Sequence, residues 1–210
     1  MAKVDYAKLY TEEPDYTKDT QVDADWAVWK TGKTVNVRFE GSKSFLDWVM
    51  DLWFKKTKVE AYDGSSWKVH KGFKTAYYSV RNKVLDKCYE LYTEGDKFRV
   101  MGHSLGGAMA LLAAEDIGWH FKQKVNLITW GAPRPAVEEE GVKALESYMD
   151  SKSVCFENGS DPVPHLPWFY QVNPKTIHIG ESFNAFKAIF QVIKYHCDNY
   201  GKAQLYESIA

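Results

Sequence analysis

The sequence predicts an α/β protein: a mostly parallel central sheet, opened by an N-terminal antiparallel hairpin and covered by helices on both faces. Three observations carry that expectation. Two strand-like segments within residues 26–39 are separated by Thr31-Gly32-Lys33. Strand-like and helix-like stretches then alternate towards the C-terminus. One junction between them is the tight, glycine-rich run Gly102-His103-Ser104-Leu105-Gly106. Strands separated by helical crossovers pair in parallel, and a parallel sheet is buried on both faces.

Each element has its own signal. Residues 1–24 are polar and rich in Tyr and Asp, with a short helix near 6–13 and then loop. Val35, Val37 and Phe39 alternate with polar residues at the period of a strand, and Gly32 supplies the turn of the hairpin. Phe45, Trp48, Val49, Leu52 and Trp53 recur at i, i+3, i+4, i+7 and i+8, the spacing of an amphipathic helix. Residues 73–92 read as a long helix ending near Gly95. Phe98-Arg99-Val100-Met101 is a short strand entering the glycine-rich turn, and 105–117 is a helix. Its Ala108, Ala110, Ala113 and Ala114 are small enough to lie close on a sheet. Residues 125–130, 154–156 and 176–179 are further strands, and a helix near 183–193 precedes His196.

Composition bounds the function classes. The 210 residues suffice for one domain with a sizeable core, expected to span 1–210. A net charge of -1 with both signs interspersed argues against a nucleic-acid partner or a polybasic membrane patch. No run approaches the roughly 18 apolar residues of a transmembrane segment, and the N-terminus lacks the apolar stretch of a signal peptide. Cys88, Cys155 and Cys197 are odd in number and irregularly spaced, matching neither a metal site nor a disulfide framework, so at least one is a free thiol. These features lead to the expectation of a cytoplasmic protein without a metal or cofactor.

The run around Ser104 fits G-x-S-x-G and stands where a strand ends and an Ala-rich helix begins. Such a turn lifts a serine clear of the sheet at the positive end of the helix dipole, in strained backbone angles that require small neighbours at −2 and +2. A serine hydroxyl needs a base to take its proton, and on this type of turn the acid and then the base follow later in the chain. Of the downstream histidines, His120 comes too soon and His178 sits inside a strand. His165 precedes the last strand, whereas His196 follows it, where the base belongs. Asp161, in the turn after the strand at 154–156, is the acid; Asp150, Glu157 and Asp198 are weaker rivals.

At this point the chain resembles the class 3 (fungal-type) triacylglycerol lipases, a branch of the α/β-hydrolases. The matching segments are residues 35–42 (VNVRFEGS), 47–52 (DWVMDL), 69–73 (VHKGF), 102–108 (GHSLGGA), 129–134 (TWGAPR), 158–164 (NGSDPVP) and a late Tyr-His, covering about 26 to 201. The resemblance implies Ser104, Asp161 and His196 as a catalytic triad. It also implies an oxyanion hole formed by the backbone N–H groups of Ser42 and Leu105. The expected activity is hydrolysis of a small-molecule or lipid ester, triacylglycerol lipase or esterase, with phospholipase A1 or an idle ligand-binding hydrolase fold as alternatives. Three departures stand out. Glu40 occupies a position where the family usually carries Arg, the N-terminal region is short, and the secretion signal and disulfides have no counterparts.

The resemblance places a helical lid just after the oxyanion loop, here residues 43–56. The Phe45 and Trp48 stripe with Lys43, Lys55 and Lys56 at its ends suits transient contact with a lipid interface, and equally suits a core helix. Phe45, Trp48, His103, Trp168 and Phe169 are the candidate substrate contacts by position.

Overall fold

Side-chain alternation along the central strands divides the core in two. Phe98 and Val100 face one side of the sheet and Met101 the other; Leu127 and Ile128, and Cys155 and Phe156, split in the same way. The computed structural model describes residues 4–18, 25–41, 56–60 and 66–209. Its main sheet has the order β1 (Trp26–Thr31), β2 (Thr34–Phe39), β5 (Lys97–His103), β6 (Asn126–Trp130), β7 (Val154–Asn158) and β8 (Thr176–Ile179). Strands β1 and β2 are antiparallel with Val28 opposite Val37, and every later pairing is parallel. The expected α/β-hydrolase sheet with its leading hairpin is therefore present.

Helices cover both faces. Helices α2 (Lys71–Leu91) and α3 (Leu105–His120) lie on one side, and α3 is buried from Leu105 to Gly118. It approaches its neighbours closely: a Cβ on Gly107 would lie 2.6 Å from that of Ala132, and one on Gly118 would lie 2.4 Å from that of Tyr148. Asp116 of α3 locks the two helices together, accepting from the Tyr77 hydroxyl at 2.6 Å and from Arg81 Nε at 2.6 Å. On the other face, α1 (Tyr6–Thr11) and the C-terminal turn Ala203–Ile209 cover Trp130, Phe156 and Ile179. Tyr6 packs edge-on against Phe156, with ring centroids 4.9 Å apart.

Three details differ from the sequence reading. A separate hairpin, β3 (Lys56–Glu60) with β4 (Ser66–His70), is additional to the expected elements, as is α4 (Glu139–Glu146). The helix expected over 183–193 is interrupted: α5 (Ala185–Phe190) ends where Gln191 leaves helical geometry, and helical backbone resumes at 192 and runs into a wide turn at Lys194–Asp198. The amphipathic helix at Phe45–Trp53 lies outside the described residues.

Candidate active site

Strand β5 runs straight into α3, and Ser104 takes the corner. Its φ of 56° and ψ of −128° are strained for a residue with a side chain. The corner is held by the Ser104 N–H donating to the Trp130 carbonyl at 3.0 Å. It closes only because its flanks lack side chains: a Cβ on Gly102 would lie 2.2 Å from the Gly106 carbonyl oxygen, and one on Gly106 would lie 2.2 Å from that of Phe39. Ser104 Oγ is buried without a hydrogen-bond partner among the described residues. Leu105 is the first residue of α3, so its N–H belongs to the first-turn amides that have no acceptor within the helix. Gly41 lies against this corner: a Cβ added to it would stand 3.2 Å from Ser104 Cβ and 3.5 Å from Leu105 N. The residue before Ser42 thus abuts the elbow. Ser42, Phe45 and Trp48 themselves lie outside the described residues, as does all of the lid segment except Lys56.

Asp161 is delivered by the turn after β7. Its Oδ1 accepts from the Val163 N–H at 3.0 Å, and Oδ2 accepts from the Tyr200 hydroxyl at 2.8 Å. His196 Nδ1 donates to the same carboxylate, 2.9 Å from Oδ2 and 3.1 Å from Oδ1. Asp161 and His196 are both buried. The turn carrying His196 is tied to the strand by Asn158 Nδ2, which donates to the Tyr195 carbonyl at 3.0 Å. Gly131, at the end of β6, leaves room for the pair. Its φ is +60°, and a Cβ there would lie 2.8 Å from Asp161 Oδ2 and 2.9 Å from His196 Nδ1. With Nδ1 committed to Asp161, the other ring nitrogen of His196 is the one suited to proton transfer.

The rival groups are occupied elsewhere. Asp150 accepts from Asn126, Lys152 and Ser153, and Asp198 is exposed. Glu157 is pushed up by burial and drawn back by Arg134. His178 Nε2 donates to the Glu181 carbonyl, His120 stands beside Asp116, and His165 packs on Phe183. Among the described residues no group of three His, Cys, Asp or Glu side chains converges as a metal site would.

His103, a candidate substrate contact by position, has a buried ring 4.6 Å from that of His196, and its Nε2 donates to the His196 backbone carbonyl at 2.7 Å. Burial holds its imidazole well below the usual histidine range, with His196 and Arg38 acting in the same direction. Trp168 and Phe169 follow the Asp161 turn on the side of β3. Trp168 is 71 % exposed, and Phe169 lies under Lys56 Nζ at 5.5 Å. Tyr200 escapes a reading of the sequence. Its only signal is a tyrosine four residues after His196, about one turn on.

A sequence profile of the family Lipase (class 3) matches residues 36–171. The lipase of Rhizomucor miehei is 31% identical over 71% of this chain and 46% of its own length. Its structure in a propeptide complex superimposes with a TM-score of 0.69, at 27% identity, over 89% of this chain and 66% of that one. The secreted mono- and diacylglycerol lipase A of Penicillium cyclopium is 32% identical over 67% of this chain and 45% of its own length. The chloroplastic phospholipase A1-Igamma2 of Arabidopsis thaliana is 28% identical over 71% and 36%. The chain thus spans about half the length, or less, of these curated relatives.

The expectation of a cytoplasmic protein is overturned by these relatives, one of which is named as secreted and another as chloroplastic. The cysteines that suggested a reducing compartment are uninformative, since Cys88 and Cys155 are buried as small apolar residues, a role open to them in any compartment. Profile, relatives and superposition agree with the strained serine corner: the chain belongs to the class 3 lipase family of α/β-hydrolases.

Proposed function

We propose that this protein is an extracellular serine carboxylic-ester hydrolase acting on fatty-acyl esters such as acylglycerols, with Ser104 as nucleophile, His196 as base and Asp161 as its orienting acid. The observation that carries the reading is the buried Asp161–His196 pair beside a serine held at a strained strand-to-helix corner. Ser104 Oγ attacks the ester carbonyl carbon while His196 takes its proton. The oxyanion forms against the Leu105 N–H, with Ser42 as the second donor. Imidazolium then protonates the departing alcohol, leaving an acyl-enzyme. Water, deprotonated by His196, attacks the acyl carbon and releases the acid and the free serine. Asp161 keeps Nδ1 protonated throughout and stabilises the imidazolium. Each oxyanion donor contributes roughly 10²–10³ in rate.

The surface next to His196 supports a lipid rather than a soluble substrate. Phe186, Ile189, Phe190 and Ile193, on α5 and just after it, are each 67–72 % exposed. Four large apolar side chains within the eleven residues that lead to His196, all left in water, mark a surface that meets something apolar. The described helices include none long and apolar enough to cross a membrane; the reading is contact of this surface with a lipid–water interface. The phospholipase A1 relative favours a second reading, cleavage of phospholipid acyl esters by the same residues.

Turnover of p-nitrophenyl butyrate that vanishes in Ser104→Ala is the expected result; unchanged turnover in that variant overturns the assignment. A double change, Phe190→Glu with Ile193→Glu, is expected to reduce hydrolysis of emulsified diacylglycerol by about tenfold or more while sparing the soluble ester. Equal loss on both substrates would count against the interfacial role. Rates on diacylglycerol emulsion and phosphatidylcholine vesicles separate the lipase from the phospholipase reading.

A further inference from the structure

Two consecutive backbone carbonyls in the turn that carries His196 are held by side chains from distant parts of the chain. The His103 ring donates from Nε2 to the His196 carbonyl at 2.7 Å, and the Tyr10 hydroxyl donates to the Cys197 carbonyl at 2.9 Å. The two donors touch one another, Tyr10 meeting His103 edge-on with ring centroids 5.5 Å apart. Tyr10 is itself fixed. Arg38, buried on β2, donates to the carbonyls of Leu9 and Glu12 at 2.8 Å and of Tyr10 at 2.7 Å, the end of α1 where helical carbonyls lack partners.

We propose that His103 and Tyr10 form a clasp that positions the His196 imidazole, making the N-terminal segment a working part of the active site. The inference rests on the proposed triad. Its physical basis is that His103 precedes Ser104 directly. One hydrogen bond therefore links the residue beside the nucleophile to the backbone of the base, and sets how far apart the two reacting groups stand. The Tyr10 bond fixes the next peptide, so the turn cannot rotate about the first contact. Reacting groups held by a single turn tolerate little displacement: a shift of about 1 Å costs on the order of 10²-fold in rate. Both side chains end on carbonyls of the His196 turn, so acting through His196 they affect the chemical step rather than binding.

The test uses soluble p-nitrophenyl butyrate, reading kcat and KM separately beside the melting temperature. His103→Leu removes the donor and is expected to lower kcat by about 10- to 100-fold. His103→Gln places an amide N–H near the same spot and should recover kcat to within about fivefold of the parent. Tyr10→Phe, which keeps the ring packing, is expected to lose several-fold in kcat with KM within about twofold. Full kcat in Tyr10→Phe and His103→Leu overturns the proposal. So does a His103→Gln variant as slow as His103→Leu, or a loss expressed in KM alone. If His103→Leu does not fold, Tyr10→Phe and His103→Gln still decide. The Ser104→Ala control keeps the two readings apart: turnover surviving in that variant defeats the triad assignment, whereas a dead Ser104→Ala beside fully active clasp variants defeats only the clasp.

Discussion

Removal of one hydroxyl, in Tyr200→Phe, tests whether Asp161 depends on a partner outside the triad. The hydroxyl is fully buried and works in two directions: it donates to Asp161 Oδ2 at 2.8 Å and accepts from the Asn158 N–H at 3.1 Å. A hydrogen bond to a charged group contributes about 1.5–3 kcal/mol, and a buried donor left without its acceptor costs about 1–3 kcal/mol. Phenylalanine fills the same volume, so no packing loss is added. Taken together these span about 2.5–6 kcal/mol, and because the two terms share one hydrogen bond the cost is placed near the lower end, about 3 kcal/mol. For a chain of this length each kcal/mol lowers the melting temperature by about 2–4 °C, so a fall of about 6–12 °C is expected in a scanning calorimeter. Activity should fall as well. Asp161 would retain the Val163 N–H and His196, but one of the contacts fixing its carboxylate plane would be gone, and an orientation error there passes directly to the imidazole. A loss of about tenfold in kcat on p-nitrophenyl butyrate is the expected size. A Tyr200→Phe protein with unchanged melting temperature and unchanged kcat would refute the argument.

Two other predictions concern the same neighbourhood. In Gly131→Ala the new methyl would sit 2.8 Å from Asp161 Oδ2 at a backbone φ of +60°, so turnover is expected to fall by about 100-fold or more; a variant with half the parental kcat would show that the pair does not need this space. The second concerns pH. Burial, with the Arg38 charge nearby, holds the His103 imidazole well below the usual histidine range in the folded protein, while in the unfolded chain it takes up a proton as pH falls through about 6.5, so the unfolded state binds more protons and stability falls on acidification. By pH 5.5 the loss attributable to this residue is on the order of 1 kcal/mol. Urea unfolding at pH 7.5 and 5.5 should show a drop smaller by that amount in His103→Gln, since His120 and His165, lowered in the same sense, remain in both proteins. Equal drops would mean that His103 is charged in the folded state.

What is legible in the sequence is whatever local backbone strain dictates. The corner at Ser104 forces glycine at fixed offsets, and alternation of strand and helix follows from side-chain period alone, so the elbow, the parallel sheet and the chain order of Asp161 and His196 can all be read. Elements that depend on neighbours are less visible. Helix α4 has only Gly141 and Leu145 buried, and β3 only Val59, so neither carries a strong apolar period. Tyr200 is missed, and so is the bond that His103 makes, for a related reason. Each owes its role to a partner far along the chain, Asp161 at 39 residues and the His196 carbonyl at 93, and no local pattern marks such a bond.

The departure at Glu40 has a structural account. Glu40 accepts from the Tyr16 hydroxyl at 3.0 Å and meets Arg38 Nη2 at 3.5 Å, while its other oxygen lies 3.9 Å from His103 Nδ1. Residues two apart on a strand share a face, so Arg38 supplies a cation beside position 40 while Glu40 supplies an acid. Burial raises the Glu40 carboxyl above its usual range, and Arg38 and the Tyr16 hydrogen bond oppose that rise. The pair fastens both ends of the N-terminal segment, Arg38 holding the carbonyls of Leu9, Tyr10 and Glu12 and Glu40 holding Tyr16. An acid at position 40 is thus coupled to the segment that supplies Tyr10. If the clasp operates, replacing Glu40 by the arginine usual in the family would set two cations side by side behind His103 and loosen the segment that steadies His196.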